Sequence, residues 1–152
     1  MATKMMNFRF LAAVHIKELN KFVEGASTSI LRDEGLLESA VASPMNQQHY
    51  AGVNDLTELA AVLSVKLIKN HAFGNGNKRT ALLAANLFMT RHGMVLQGGT
   101  SAVEDDNVLE KAHNDVAQNK MDESGLEALY RTRWSQASIS QEEEAEALLK
   151  DI

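Results

Sequence analysis

The sequence predicts one all-α domain, a bundle of six to seven helices. Apolar residues recur at helical spacing in most windows, period-2 alternation is hard to find, and aromatic residues make up only 5% of the chain. The 152 residues, 45% of them hydrophobic, suffice for one core, because a chain of this length buries roughly 68–70% of the surface its unfolded form exposes. The domain is expected over residues 8–134, with a tail over 1–7 and a segment over 135–152 that carries a terminal helix.

The first helix fits Phe8 to Phe22, with Leu11, Val14, His15, Leu19 and Phe22 at helical intervals and Gly25 beyond its end. Ala26 to Asp33 is rich in Ser and Thr and reads as loop. A short helix fits Glu34 to Ala42, bounded by Pro44, which biases the residue before it away from αR. Met45 to Asn54 then reads as an exposed loop or a short hairpin. From Asn54 or Asp55 to Asn70, Leu56, Leu59, Ala60, Leu63 and Leu67 keep the i, i+3, i+4, i+7 pattern behind an N-cap side chain. His71 to Asn77 is too rich in Gly and Asn to be regular. Lys78 to His92 follows, with Ala81, Leu82, Ala85, Phe88 and Met89 as its apolar stripe and Gly93 as its stop. Beyond a Gly98-Gly99 turn, Ser101 with Glu104 forms a capping box for a helix to about Asn119, and Asp122 starts another that reaches about Trp134. Ser140 with Glu143 precedes a last helix over Glu144 to Lys150, expected to be detachable.

Composition narrows the function classes. Without cysteine there is no disulfide scaffold, no Cys-ligated zinc and no thiol nucleophile, so a reducing, cytoplasmic setting is expected. The longest strongly apolar run, near Ala81 to Met89, is far short of the ~20 residues of a membrane span. A net charge of −5 and the lack of a basic stripe argue against duplex nucleic acid as a partner. Any basic site must be small and local.

One such site stands at Asn77-Lys78-Arg79-Thr80. First turns of helices favour Asp and Glu because the macrodipole places about half a positive charge there, yet this one opens with two adjacent cations. An anion in the site removes the conflict. Gly74 and Gly76 let backbone N–H groups converge, the helix start adds unpaired donors, and Lys78 and Arg79 supply charge-assisted bonds, so phosphate is the natural guest. A Walker A loop is excluded, since it needs G-x-x-x-x-G-K-[ST] after a strand. His71 stands at the mouth of this loop, and an imidazole can take a hydroxyl proton near neutral pH.

The string from His71 to Arg79, His-Ala-Phe-Gly-Asn-Gly-Asn-Lys-Arg, resembles the Fic/Doc signature H-x-F-x-[D/E]-G-N-[G/K]-R, and most closely its Doc-like branch, which carries lysine where AMP-transferring members carry glycine. Upstream, Leu31-Arg32-Asp33-Glu34-Gly35-Leu36-Leu37-Glu38-Ser39-Ala40 is similar to a second block of that branch. The resemblance implies an all-α fold and an enzyme that moves AMP or a phosphoryl group from ATP, with Mg²⁺, to a Ser, Thr or Tyr hydroxyl of a target protein. It implies His71 as general base, Phe73 as the anchor of the loop in the core, and Gly74, Asn75, Gly76, Asn77, Lys78 and Arg79 as the nucleotide-phosphate site.

Three departures qualify what the resemblance implies. Asn75 stands where family members usually have the Asp or Glu that holds Mg²⁺; its amide offers an oxygen without charge, so metal binding is expected to be weak. Lys78, together with Leu82 where many AMP-transferring members have a second arginine, leans toward Doc-like phosphorylation over AMPylation. Many members carry an inhibitory [S/T]-x-x-x-E-[G/N] helix. Ser138 to Glu142 and Ser140 to Glu144 fit its first five positions, which makes Glu142 and Glu144 candidate inhibitory residues, with a dipole-matched helix start as the plainer account. Doc-like toxins are instead restrained by a separate antitoxin, a further expected partner.

Among the weaker signals, His15 reads as a hydrogen-bonded core residue and His92 as a helix C-terminus, while His49 and Tyr50 belong either to a flap that pairs with the target or to a surface loop. The open alternatives are an active transferase, a nucleotide- or partner-binding fold weakened by Asn75, and a plain structural anion site.

Overall fold

The computed structural model describes residues 5–96 and 107–150. They form α1 (Ala13–Glu24), α2 (Glu34–Ala51), α3 (Leu56–Asn70), α4 (Asn77–Thr90), β1 (Met94–Leu96), α5 (Val108–Ala117), α6 (Glu123–Thr132), β2 (Trp134–Gln136) and α7 (Ile139–Lys150). The class is all-α. The central pair is α3 and α4, with α2 and α6 packed on α3 and α1 and α5 on α4. Ala60, Ala61, Ala81, Ala84 and Ala85 are fully buried. Their small side chains let the two central backbones approach closely, and this sets the geometry of the turn that joins them.

α3 and α4 form where periodicity predicts them. Asp55 caps α3 by accepting from the Thr57 and Glu58 N–H groups at 2.9 and 3.2 Å. Burial pushes the Asp55 carboxyl up, but the Thr57 hydroxyl, the Glu58 N–H and Arg131 outweigh it and hold the carboxyl below its ordinary value.

Elsewhere tertiary contacts override the local pattern. α1 starts at Ala13, not Phe8, because Phe8 and Phe10 instead alternate inward from an extended segment onto Phe88, at ring-centroid distances of 6.3 and 5.5 Å. The buried face of α1 is Ala13, Ile16, Leu19 and Asn20, which leaves Val14 and Phe22 exposed. α2 runs through Pro44 to Ala51 and ends at Gly52, so the expected loop or hairpin over Met45 to Asn54 is largely helix. A mid-helix proline costs about 3 kcal/mol. Here Leu37, Ala40, Val41, Pro44 and Gln48 are all buried, and their packing offsets that cost. The Ser43 hydroxyl donates to the Ser39 carbonyl at 2.9 Å, one residue before the Ala40 carbonyl that Pro44 cannot serve.

The expected Gly98-Gly99 turn and Ser101–Glu104 capping box lie outside the described residues. β1 and β2, absent from the sequence reading, pair antiparallel with Val95 opposite Ser135. α7 begins earlier than expected, on a capping box in which Ser138 Oγ accepts from the Gln141 N–H and Gln141 Oε1 from the Ser138 N–H. Nor is it detached. Ala145 and Leu149 join the core, Arg91 holds Glu146 through two bonds of 2.8 and 3.1 Å, and His15 Nε2–H donates to the Leu149 carbonyl.

Candidate active site

The turn between α3 and α4 is built in three steps. α3 ends at His71, whose backbone is left-handed (φ 49°, ψ 51°), a conformation that reverses the chain and leaves the imidazole exposed. Ala72 and Phe73 then plunge into the core, each 2% exposed. Gly76 (φ 77°) caps α4 without a side chain, and the first-turn N–H groups of α4 have no intrahelical partners.

The upstream block, Leu31 to Ala40, is the scaffold of this turn. Leu31 bridges to Phe73, the Arg32 and Asp33 N–H groups donate to the Ala72 carbonyl at 2.7 and 3.3 Å, and the Gly74 N–H donates to the Ile30 carbonyl at 2.8 Å. Asp33 also caps α2 through the Leu36 N–H. The two sequence blocks are therefore adjacent in space, and each holds the other's backbone.

Asn77 is buried. Its side-chain amide donates to the Phe73 carbonyl at 2.9 Å and accepts from the Phe73 N–H at 3.2 Å, so that side chain is committed to the loop itself. Below the turn, fully buried Asn20 donates to the Asn75 carbonyl at 3.0 Å and to Thr80 Oγ1 at 3.2 Å, and accepts from the Ser29 hydroxyl.

These elements open a cavity of about 550 Å³ lined by His71, Gly74, Asn75, Gly76, Asn77, Lys78 and Arg79, with Glu24, Ile68 and Ala117 completing the wall. Among the described residues the His71 ring makes no hydrogen bond and Lys78 makes no ion pair. Arg79, in contrast, donates to Glu24 Oε1 at 3.0 Å. The Gly74 N–H is already used, so the donors along the cavity are the start of α4, Lys78 and Arg79.

For a divalent cation the donor set is thin. Among the described residues no group of three His, Cys, Asp or Glu side chains could hold a metal. Asn75 is neutral, and the one carboxylate in the cavity wall is engaged by Arg79. The residues present do not by themselves make a Mg²⁺ site.

Other sequence candidates lie elsewhere. Glu142 sits beside Gly93, Glu144 lines a groove with Leu83 and Leu148, and neither lines the His71 cavity. His49 and Tyr50 stand exposed on the last turn of α2. Glu24 and Asn20 were missed by sequence reading. Both lie 55 residues from the turn they touch, and the only hint was a polar Asn20 on the buried side of α1.

Fold and turn together define a helical domain in which the start of α4, with Lys78 and Arg79, lines a cavity beside an exposed histidine. Residues 9–89, more than half of the chain, match the Fic/DOC family, and the chain belongs to it. It is 39% identical over 101 residues to the Toxin Doc of Mycolicibacterium smegmatis, a match that covers 64% of this chain and 73% of that protein. It is 34% identical over 64 residues to the Protein kinase doc of Escherichia phage P1, covering 42% of this chain and 51% of that one. A Fic/Doc-type modifying enzyme or toxin is the function these matches support.

Proposed function

We propose that this protein transfers the γ-phosphoryl group of ATP to a Ser, Thr or Tyr hydroxyl of a target protein. His71 takes the hydroxyl proton, the oxygen attacks the γ-phosphorus, and the bond from that phosphorus to ADP breaks. The start of α4, Lys78 and Arg79 hold the phosphate oxygens, and the rate gain comes from positioning and charge stabilisation. The observation that carries this reading is the shared cavity: the unbonded imidazole of His71 and the cations of Lys78 and Arg79 line the same 550 Å³ space.

Phosphoryl transfer is preferred to AMP transfer because Lys78 stands where AMP-transferring members carry glycine, and because one relative is named a protein kinase. Mg²⁺ would arrive on the nucleotide's own phosphates, since Asn75 offers only a neutral oxygen. The name of the mycobacterial relative supports a toxin role, and with it an antitoxin-type inhibitor as partner. A reducing cytoplasm suits a chain without cysteine. A second reading, a nucleotide- or partner-binding fold with weakened catalysis, is favoured specifically by Asn75.

Incubation with ATP labelled at the α or γ position, with target-containing lysate and a His71→Ala control, tests this. Label on protein from the γ position only, lost in the control, is expected. Label from the α position means AMP transfer, and ATP binding without labelling leaves the second reading.

A further inference from the structure

Resting on the phosphate-site reading above, we propose that Glu110 and Asn114 on α5 are specificity-determining residues that select an adenine ribonucleoside. They hold it in a second cavity, on the far side of Lys78 and Arg79 from His71.

A cavity of about 270 Å³ lies between α4 and α5, lined by Lys78, Arg79, Leu82, Glu110, His113 and Asn114. It shares Lys78 and Arg79 with the His71 cavity, so the two spaces adjoin across these cations. α5 follows both of them. Ala117 walls the first, while Asn114 and Glu110, about one and two turns earlier, wall the second. A ligand whose phosphates lie on Lys78 and Arg79, with its reacting end at His71, extends its other end along α5. The charge there suits an uncharged group. Glu110 has no hydrogen bond or ion pair among the described residues, and its carboxylate repels phosphate but accepts from neutral N–H and O–H groups. The Asn114 side chain is equally without a partner among the described residues, and its amide can both donate and accept.

The rest of the wall is apolar and fixed. Leu82 is partly buried, and the His113 ring has no nitrogen left for a ligand, because Nδ1 donates to the Leu109 carbonyl and Nε2 accepts from the Tyr130 hydroxyl. Tyr130 is bonded in turn to Ser64 of α3, so α5 is held from the core side and presents Asn114 and Glu110 on a fixed face. These two residues stand about 6 Å apart along the helix axis, comparable with the step from a ribose to the amino edge of its purine. Asn114, nearer the phosphates, meets the ribose 2′-hydroxyl. Glu110, further out, accepts from the 6-amino group of adenine.

Calorimetric titration of the full chain, with Mg²⁺ throughout, tests this with four ligands. They are ATP, 2′-deoxy-ATP, purine riboside triphosphate, which lacks the 6-amino group, and inorganic tripolyphosphate, which lacks the nucleoside. Wild type should bind ATP roughly tenfold more tightly than either nucleoside analogue. Glu110→Ala should erase the preference over purine riboside triphosphate and keep the one over 2′-deoxy-ATP, and Asn114→Ala should do the reverse. Both positions are exposed on α5, and neither variant should lose tripolyphosphate binding, which also reports that each is folded. Lys78→Ala should weaken all four ligands. Equal affinity of wild type for ATP and both analogues overturns the proposal and, while tripolyphosphate still binds, leaves the phosphate site standing. A preference that survives its own substitution overturns the assignment of that residue. If neither ATP nor tripolyphosphate binds wild type, the phosphate-site reading falls and takes the nucleoside assignment with it.

Discussion

Two histidines near α4 live in opposite surroundings. His71, at the end of α3, is exposed and without a hydrogen bond among the described residues, on a left-handed backbone that a non-glycine residue adopts at a cost of about 1–3 kcal/mol. His113, on α5, is 1% exposed, donates from Nδ1 to the Leu109 carbonyl, accepts at Nε2 from the Tyr130 hydroxyl at 2.6 Å, and stacks on the Tyr130 ring. Burial pushes the His113 imidazole down from its ordinary value, and the Leu109 carbonyl offsets this only in part. An imidazole with both nitrogens fixed in a low-dielectric core is a structural part. One held at a cavity mouth with both nitrogens open can exchange protons.

The sharpest way to break that contrast is to remove each ring in turn. His71→Ala should lower transfer of label by roughly 10²–10⁴-fold with an unchanged melting temperature, whereas His113→Ala should lower the melting temperature. Activity retained in the first variant sinks the assignment. Asn77→Ala strips partners from the buried Phe73 N–H and carbonyl and should cost about 2–3 kcal/mol by urea denaturation, with phosphate affinity falling too.

Smaller effects sharpen the comparison. Tyr130→Phe leaves Ser64 and His113 without their shared partner, an expected loss of about 1–3 kcal/mol with transfer activity retained. His92 behaves like His113: burial pushes its pKa down although the Phe88 carbonyl opposes this. For both rings the unfolded chain takes up a proton first, so their stabilisation is complete above about pH 6.5 and is lost as pH falls below it toward the lower folded values. Thermal melts should therefore drop between neutral pH and pH 5.5 or so, before Glu146, held below its ordinary value chiefly by Arg91, begins to protonate. A flat profile over that range would falsify the burial of these neutral rings. Least of all, Glu142→Gln and Glu144→Gln should shift stability by under about 0.5 kcal/mol and leave transfer unchanged, because neither side chain reaches the His71 cavity.

By itself the sequence determined what short-range physics controls: α3 and α4 from apolar spacing, an N-cap side chain at Asn54 or Asp55, and the glycine-rich turn with His71 at one end and Lys78-Arg79 at the other. Those features rest on neighbours within a turn or two, so they are written locally. Only the tertiary structure decided that α2 continues through Pro44, that Phe8 and Phe10 lie extended on Phe88, that β1 finds β2, and that α7 docks through Glu146. It also decided that Asn20 supports the turn and Glu24 pairs with Arg79. Each of these depends on a partner far along the chain, where burial or an ion pair outweighs the local preference, and such a contact leaves no period, cap or spacing to read in advance.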